Sequence, residues 1–406
     1  MPLTKFPGNI LGVGFNPLQA PNAPTSVTAA GGDASATVTF TAPANVGGSA
    51  ITGYTGRSTP DNVAATASAS PLTFSGLTNG TSYTFNVWAL NSYGPSPAGG
   101  PSGSVSPAAP RGLFGAAGTP ETNVVQYITI TSTGNATDFG DLTVARLGAG
   151  ACASSSRGVW GGGQVAGSSN NTIDYVTIAS TGNATDFGDL FQARRELAGY
   201  NSSTRGVFSG GRVSSEVNTI DYITIATTGN ATDFGDMTVS RGELASCSSP
   251  TRGVVAGGTI PGGPPYSNVI DYVTIATTGN ATDFGDLPSR VQGPCGCSSA
   301  TRGVFAGGST AYTTEVNVIS FITIATTGNT TDFGDLSARI YRGGACSSNT
   351  RGVFAGGNSW DGSGYNSTNV IEYVTIATTG NATDFGDLLS AVNQLSGCSN
   401  VNGGVQ

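Results

Sequence analysis

Six cysteines, Cys152, Cys247, Cys295, Cys297, Cys346 and Cys398, are the first residues in this chain to invite chemistry. Five share one register, four of them a few residues before an Arg-Gly-Val string and Cys398 in the last partial repeat. Tyr200 holds the sixth such position, and Cys295 stands two residues before Cys297. A reactive or metal-binding thiol needs a base, a cationic neighbour or a ligand-spacing motif. The chain contains no His, which removes the commonest general base and metal ligand. Cys295-Gly296-Cys297 is an i, i+2 pair along a strand, and no zinc spacing occurs. Equivalent positions on neighbouring repeats are expected to be too far apart for a disulfide, whose Cα atoms lie within about 7 Å. The cysteines therefore read as small buried hydrophobes. No catalytic residue, metal site or cofactor is expected.

The second candidate is the string TGNATDFGDL at 133–142, which returns at 181–190, 228–237, 278–287, 327–336 and 379–388 with single changes. Asn135, Asp138 and Asp141 put three oxygens at spacing three, but calcium needs six to eight and no loop motif is matched. The other reading is turn bonding by Asn, with Asp paired to a strand or loop Arg. The third candidate is Arg146, Arg194, Arg241, Arg290 and Arg339, which follow the string and serve either as core-edge ion pairs or as ligand contacts.

These residues sit in a repeat. Asp138, Asp186, Asp233, Asp283, Asp332 and Asp384 mark steps of 48, 47, 50, 49 and 52 residues, a period that belongs to propellers and solenoids. Within the unit from Cys297, strand a ends at the Cys and strand b runs from Arg302 to Ala306. Strand c covers Val318 to Ala325, a Thr-Gly-Asn turn follows, and strand d covers Thr331 to Leu336. Four short antiparallel strands make one propeller blade. The first unit begins at strand b (Arg111), and a last strand a around Cys398 remains to complete it, so six blades are expected. The repeated string is then the c–d hairpin and outer strand, which builds the ring.

The b–c loops differ in length and sequence, unlike the a–b and c–d turns, and they emerge on the face carrying the d–a connections. They hold Tyr266, Tyr312, Trp360 and Tyr365. Variable loops on a rigid scaffold are where binding is usually placed, and aromatics beside Arg and Asn suit a sugar. Unequal loops also accumulate neutral change.

Composition narrows the classes further. A net charge of −8 and only 10% charged residues argue against nucleic-acid binding. No run approaches the roughly 18 apolar residues of a membrane span, and the first twenty residues lack the apolar core of a signal peptide. Residues 1–20 read as an extended arm whose Phe6, Ile10, Leu11 and Phe15 dock on a partner or on the next domain. From 21 to 109 the pattern is short alternating strands, such as Ala36–Thr41, with turns at Gly47-Gly48 and Asn79-Gly80.

Two resemblances follow from these motifs. Pro24, Val27, Tyr54, Leu77-Thr78-Asn79-Gly80-Thr81-Ser82-Tyr83, Val87 to Asn91 and Gly94-Pro95-Ser96 resemble a fibronectin type III domain, with Phe40 where that family usually has Trp. The resemblance implies a β-sandwich, a corner in which the Tyr83 hydroxyl bonds upstream backbone, and a spacer or ligand-binding role. Gly257-Gly258, Tyr272, Phe284, Leu287 and Arg290, with their equivalents, resemble kelch repeats, although the usual fourth-strand Trp is Phe in every copy. The expected fold is all-β: a fibronectin-like domain at 21–109 and a six-bladed kelch-like propeller at 110–406.

Fibronectin III domains joined to Gly-rich β-repeats also resemble virion proteins of tailed bacteriophages. That implies a non-enzymatic surface protein of a virion (tail fibre, appendage or head decoration), oligomeric in its assembly. Its arm would hold other virion proteins and its loops would touch host-surface glycan, without nucleic acid or membrane. A secreted bacterial carbohydrate-binding protein is the alternative. A kelch-like copper oxidase is disfavoured because its His ligands are missing.

Overall fold

The computed structural model describes residues 18–118, 120–262, 265–311, 314–360 and 364–401, excluding the side chains of Ala311 and Trp360. Phe6, Ile10, Leu11, Phe15, Tyr312 and the Trp360 side chain thus lie outside the described residues. Among those described there are strands, turns and bends but no helix. The chain divides between Ala109 and Pro110 into two compact units.

The first unit has one sheet of Thr25–Gly32, Ser35–Thr41 and Leu72–Ser75, and another of Ala64–Ala67, Gly53–Thr59, Thr84–Asn91 and Gly94–Pro95. Alternation decides which side is core. Ala36, Val38 and Phe40 face in while Thr37, Thr39 and Thr41 face out. Phe40 packs on Tyr54 with ring centroids 4.7 Å apart, filling the space expected of a Trp. The Tyr83 hydroxyl accepts from Thr78 N–H at 3.1 Å and donates to Asp61 at 2.5 Å, which is the anticipated corner. Residues 102–106 form no strand but one bridge, Tyr83 to Val105, between Pro101 and Pro107, which cannot donate to a ladder. Ala64–Ala67 escaped notice because small residues give no apolar alternation.

The second unit holds six four-stranded antiparallel sheets. Sheet I consists, from inside out, of Ser396–Ser399, Arg111–Gly115, Thr122–Thr129 and Thr137–Arg146, so a C-terminal strand completes the first sheet. Sheet II is Gly150–Ala153, Arg157–Gly161, Thr172–Thr177 and Thr185–Asp189. The inner strands of sheets III to VI are Ala198–Asn201, Ala245–Ser248, Cys295–Ser298 and Gly344–Ser347. Sheet VI gains a fifth strand, Asn358–Trp360, paired with Tyr365–Thr375. Each inner strand touches the next, and that of sheet VI touches that of sheet I.

Three repeated devices join neighbouring sheets, and each runs through all six junctions. The first explains the repeated string. Gly182 N–H donates to Phe139 O at 2.8 Å and Ala184 N–H to Asp141 O at 2.7 Å, while Asn183 Oδ1 accepts from Asp141 N–H at 3.1 Å. The turn of sheet II thus satisfies the outer edge of sheet I. The same three bonds recur at the other junctions, ending with Gly134, Ala136 and Asn135 on Phe385 and Asp387. Gly140, at φ +142°, belongs to a bulge, and a Cβ there would stand 2.5 Å from Gly182 O, so only glycine fits.

The second device is the arginine that opens each second strand. Arg157 stacks over Tyr175 at 4.4 Å and donates to Ile225 O of sheet III at 2.9 Å. Arg111, Arg205, Arg252, Arg302 and Arg351 repeat this, the last reaching Ile130 O of sheet I. These arginines do not pair with the Asp of the string, contrary to one expectation, and the Asn bonds cross to a neighbouring sheet rather than closing its own turn.

The third device occupies the cysteines. All are free and buried. A Cβ on the next sheet's Gly would lie 2.5 Å from Sγ at Gly206 over Cys152, 2.4 Å at Gly303 over Cys247 and 2.5 Å at Gly352 over Cys297. Tyr200 occupies the equivalent gap over Gly253. Burial pushes the Cys295 and Cys398 thiols up to about 12, leaving them protonated and unreactive. They act as wedges.

A direct test follows. Gly206→Ala forces a methyl against Cys152 Sγ and Ile223 Cγ1, and should cost about 1–3 kcal/mol. Cys152→Ala removes the sulfur, so the double variant should recover at least about 0.5 kcal/mol relative to the sum of the singles. Urea unfolding of the four proteins reads the cycle; additive losses would contradict the wedge.

Candidate functional site

The connection from each outer strand to the next inner strand converges on the axis. Six residues there adopt left-handed backbone: Gly148, Glu196, Glu243, Gly293, Arg342 and Gln394, with φ from +51° to +63°. Each donates its N–H to the carbonyl of the one before. Glu196 bonds Gly148 O at 2.6 Å, Glu243 bonds Glu196 at 2.8 Å and Gly293 bonds Glu243 at 3.0 Å. Arg342 bonds Gly293 at 2.8 Å, Gln394 bonds Arg342 at 2.7 Å, and Gly148 bonds Gln394 at 2.9 Å. The hydrogen bonds return to their start, and these residues line a cavity of about 120 Å³.

The residue just before the left-handed one bridges the loop between second and third strands. The bridges are Leu147 to Gln164, Arg195 to Arg212, Gly242 to Thr259, Gln292 to Ser309 and Tyr341 to Asn358. The variable loops therefore stand around the cavity mouth, on the face expected from topology.

Charge gathers on one side of the mouth. Arg342 donates to both oxygens of Glu243, from Nε at 3.1 Å and from Nη2, in a bidentate pair with Glu243 3% exposed. Arg212 donates to Glu216 at 2.6 Å and lies 3.4 Å from Glu196. Burial, then Glu243, raises the Glu196 carboxyl, against the pull of Arg212, Arg342 and Arg195. Tyr365 packs against Tyr341 with ring centroids 5.3 Å apart and planes tilted by 58°, and Tyr341 lies beneath Arg342 at 5.2 Å, so one expected loop aromatic connects to this cluster. Tyr266 is buried in its loop, bridged to Thr259, and is not displayed as a stacking platform.

The expected arginine ring separates into two sets. Arg146, Arg194 and Arg241 are fully buried and cannot be ligand contacts. They pair across junctions with Asp174, Asp221 and Asp271, Arg146 at 2.9 Å and Arg241 at 2.6 Å, and they also donate to strand carbonyls. Burial lowers the Arg194 guanidinium to about 9, with Tyr200 opposing. Arg290 and Arg339 are exposed. They lie three residues after the string's Leu rather than four; the fourth place holds Val291 and Ile340, both buried. The fourth place after the Leu or Met is buried in every sheet and the third is not, so the five never formed one ring.

Sequence reasoning missed Glu196, Glu243, Arg342 and Gln394. The signal was present: they stand six residues after the Leu or Met of the string, where the other repeats have Gly148 and Gly293. A second cavity of about 80 Å³, lined by the cysteine-bearing strands and Ser248, Ser298, Ser347 and Ser399, lies along the same inner strands.

Residues 22–104 match the fibronectin type III domain family, which agrees with the two-sheet first unit and its tyrosine corner. The N-terminal unit is a fibronectin type III domain. Among curated proteins, none is similar enough to this chain to be matched.

Two measurements check the site. Arg241→Ala leaves Asp271 buried and unpaired and should cost about 3–5 kcal/mol, whereas Arg290→Ala should stay within about 0.5 kcal/mol. Comparable thermal shifts would contradict the division of the arginines. For Glu196, a raised carboxyl contributes stability below its unfolded value of about 4.3 and loses it as pH rises through the folded value. Glu196→Gln should therefore melt above the parent at pH 7, with the difference fading toward pH 4. A variant less stable at pH 7 would show that pairing with Arg212 outweighs burial.

Proposed function

We propose that residues 110–406 form a six-bladed kelch-like β-propeller that acts by binding, with the fibronectin type III domain as spacer. The proposed setting is the surface of a virion, as tail fibre, appendage or head decoration. There the chain is oligomeric in its assembly, its arm (Phe6, Ile10, Leu11, Phe15) contacts other virion proteins, and its loop face meets host-surface glycan. The observation that carries binding is a division of labour. Every junction uses the same three devices, whereas loop sequence and axial side chains differ from sheet to sheet on one face only. Six sheets touching in cyclic order, with a C-terminal strand in the first, support the propeller. The fibronectin match beside Gly-rich β-repeats supports the setting.

Full-length protein on a glycan array and on host cells tests the reading. Binding is expected, and Tyr365→Ala should weaken it tenfold or more, the equivalent of about 1.4 kcal/mol. Mass spectrometry of purified particles tests the setting. Presence in particles without glycan or cell binding would leave only a structural role.

A further inference from the structure

The left-handed ring carries two glycines and four larger residues at one backbone conformation. Gly148 and Gly293 show that glycine satisfies both the φ and the ring hydrogen bond. Glu196 at φ +59°, Glu243 at +56°, Arg342 at +58° and Gln394 at +51° hold the same conformation against the steric cost of a Cβ. Backbone strain of this kind gathers where side chains are used. All four line the axial cavity.

One atom there is unsatisfied. Glu196 is 8% exposed in its side chain, and its Oε2 accepts no hydrogen bond, although Arg212 Nη1 stands 3.4 Å away. That oxygen is sealed beside Arg212, but Glu196 itself lines the axial cavity, and a carboxylate on a cavity wall favours an occupant that donates to it. The charges around it limit that occupant. Glu196, Glu216 and Glu243 face Arg195, Arg212 and Arg342, three against three, so neither an anion nor a cation is favoured. Acceptors beside guanidinium and amide donors, with Leu197, Leu244 and Leu395 as apolar wall, suit hydroxyls on a carbon ring.

We propose that the axial cavity binds a neutral sugar ring, with Glu196 and Glu243 accepting from its hydroxyls and Arg342 and Gln394 donating to its oxygens. This rests on the glycan-binding reading above and moves the decisive contact from the outer loops to the axis. Free neutral hexoses and N-acetylhexosamines are the probes, titrated into the full chain by ligand-observed NMR and calorimetry, with glycan-array and host-cell binding alongside.

Glu196→Gly keeps the backbone that Gly148 already adopts. Its melting temperature should equal or exceed the parent's, while sugar affinity falls tenfold or more. Glu196→Gln, which preserves size but presents a donor where an acceptor stood, should lose affinity equally. Unchanged sugar binding in both variants would overturn the axial site and leave the loops as the contact. Array or host-cell binding without any free-sugar binding would overturn the axial site alone. A parent that binds no sugar, array or cell would overturn the glycan reading with it. A lowered melting temperature in Glu196→Gly, with sugar binding retained in Glu196→Gln, would reduce Glu196 to a partner of Arg212 and also overturn the proposal.

Discussion

The constraint on which the second unit depends is the outer edge of each sheet. A strand at an edge presents unpaired amides and carbonyls, and six sheets repeat the problem six times. The Asp-Phe-Gly-Asp edge is closed by the neighbour's Gly-Asn-Ala turn, through two backbone bonds and one Asn side chain, with Thr330 replacing Ala at one junction. That solution demands a glycine at the bulge, a glycine at the turn, and an Asn whose oxygen is already in use. The string varies so little because its Gly, Asn and Ala positions and its Phe and second Asp each bond across to a neighbouring sheet. Its Asn oxygens, which in isolation suggest cation ligands, are accepting backbone N–H groups.

Because the junctions are secured at the outer edge, at the arginine and at the Cys–Gly wedge, the axial mouth need not carry the fold. Its backbone hydrogen bonds form whatever side chain is attached, as Gly148 and Gly293 demonstrate. Side chains there vary while the hydrogen-bonded ring persists, the four larger ones against the steric cost of a left-handed Cβ: Gly, Glu, Glu, Gly, Arg and Gln in turn. Uniform sequence at one radius and varied sequence at another follow from where the hydrogen bonds lie.

Much of the fold was legible because a strand period of two and a repeat near fifty residues survive in plain sequence. Arg302–Ala306 was read to the residue, and the completion of the first sheet around Cys398 followed from counting strands. The site was less legible for two reasons. Its members lie far apart in the chain and meet only through the ring, and the left-handed conformation of Glu196 or Arg342 shows only by their sharing a place with Gly148 and Gly293 in the repeat. The arginines misled through a one-residue offset. Arg290 resembles Arg241 in order but follows its Leu by three residues, and only the fourth place turns back into the core.

The same offset breaks the symmetry of the unit. Junctions I–II, II–III and III–IV each bury an Arg–Asp pair. The next three place Val291, Ile340 and Val392 at the fourth position, with Ser320, Glu372 and Gln126 at the place of the Asp. Replacing buried ion pairs with apolar contacts is close to neutral for stability, so the pairs are not needed for strength. Their effect is on order. An Arg-bearing edge docked on Ser320 would bury an uncompensated guanidinium at a cost of several kcal/mol, whereas the carboxylate of Glu372 beside Ile340 is met by the Ser337 N–H. Six sheets with nearly identical strings have many wrong partners available while folding. Arg–Asp pairs in one half, and Val or Ile beside Ser320, Glu372 or Gln126 in the other, make a misplaced arginine edge costly wherever it meets no carboxylate, and that discrimination accounts for three buried pairs where none is used elsewhere.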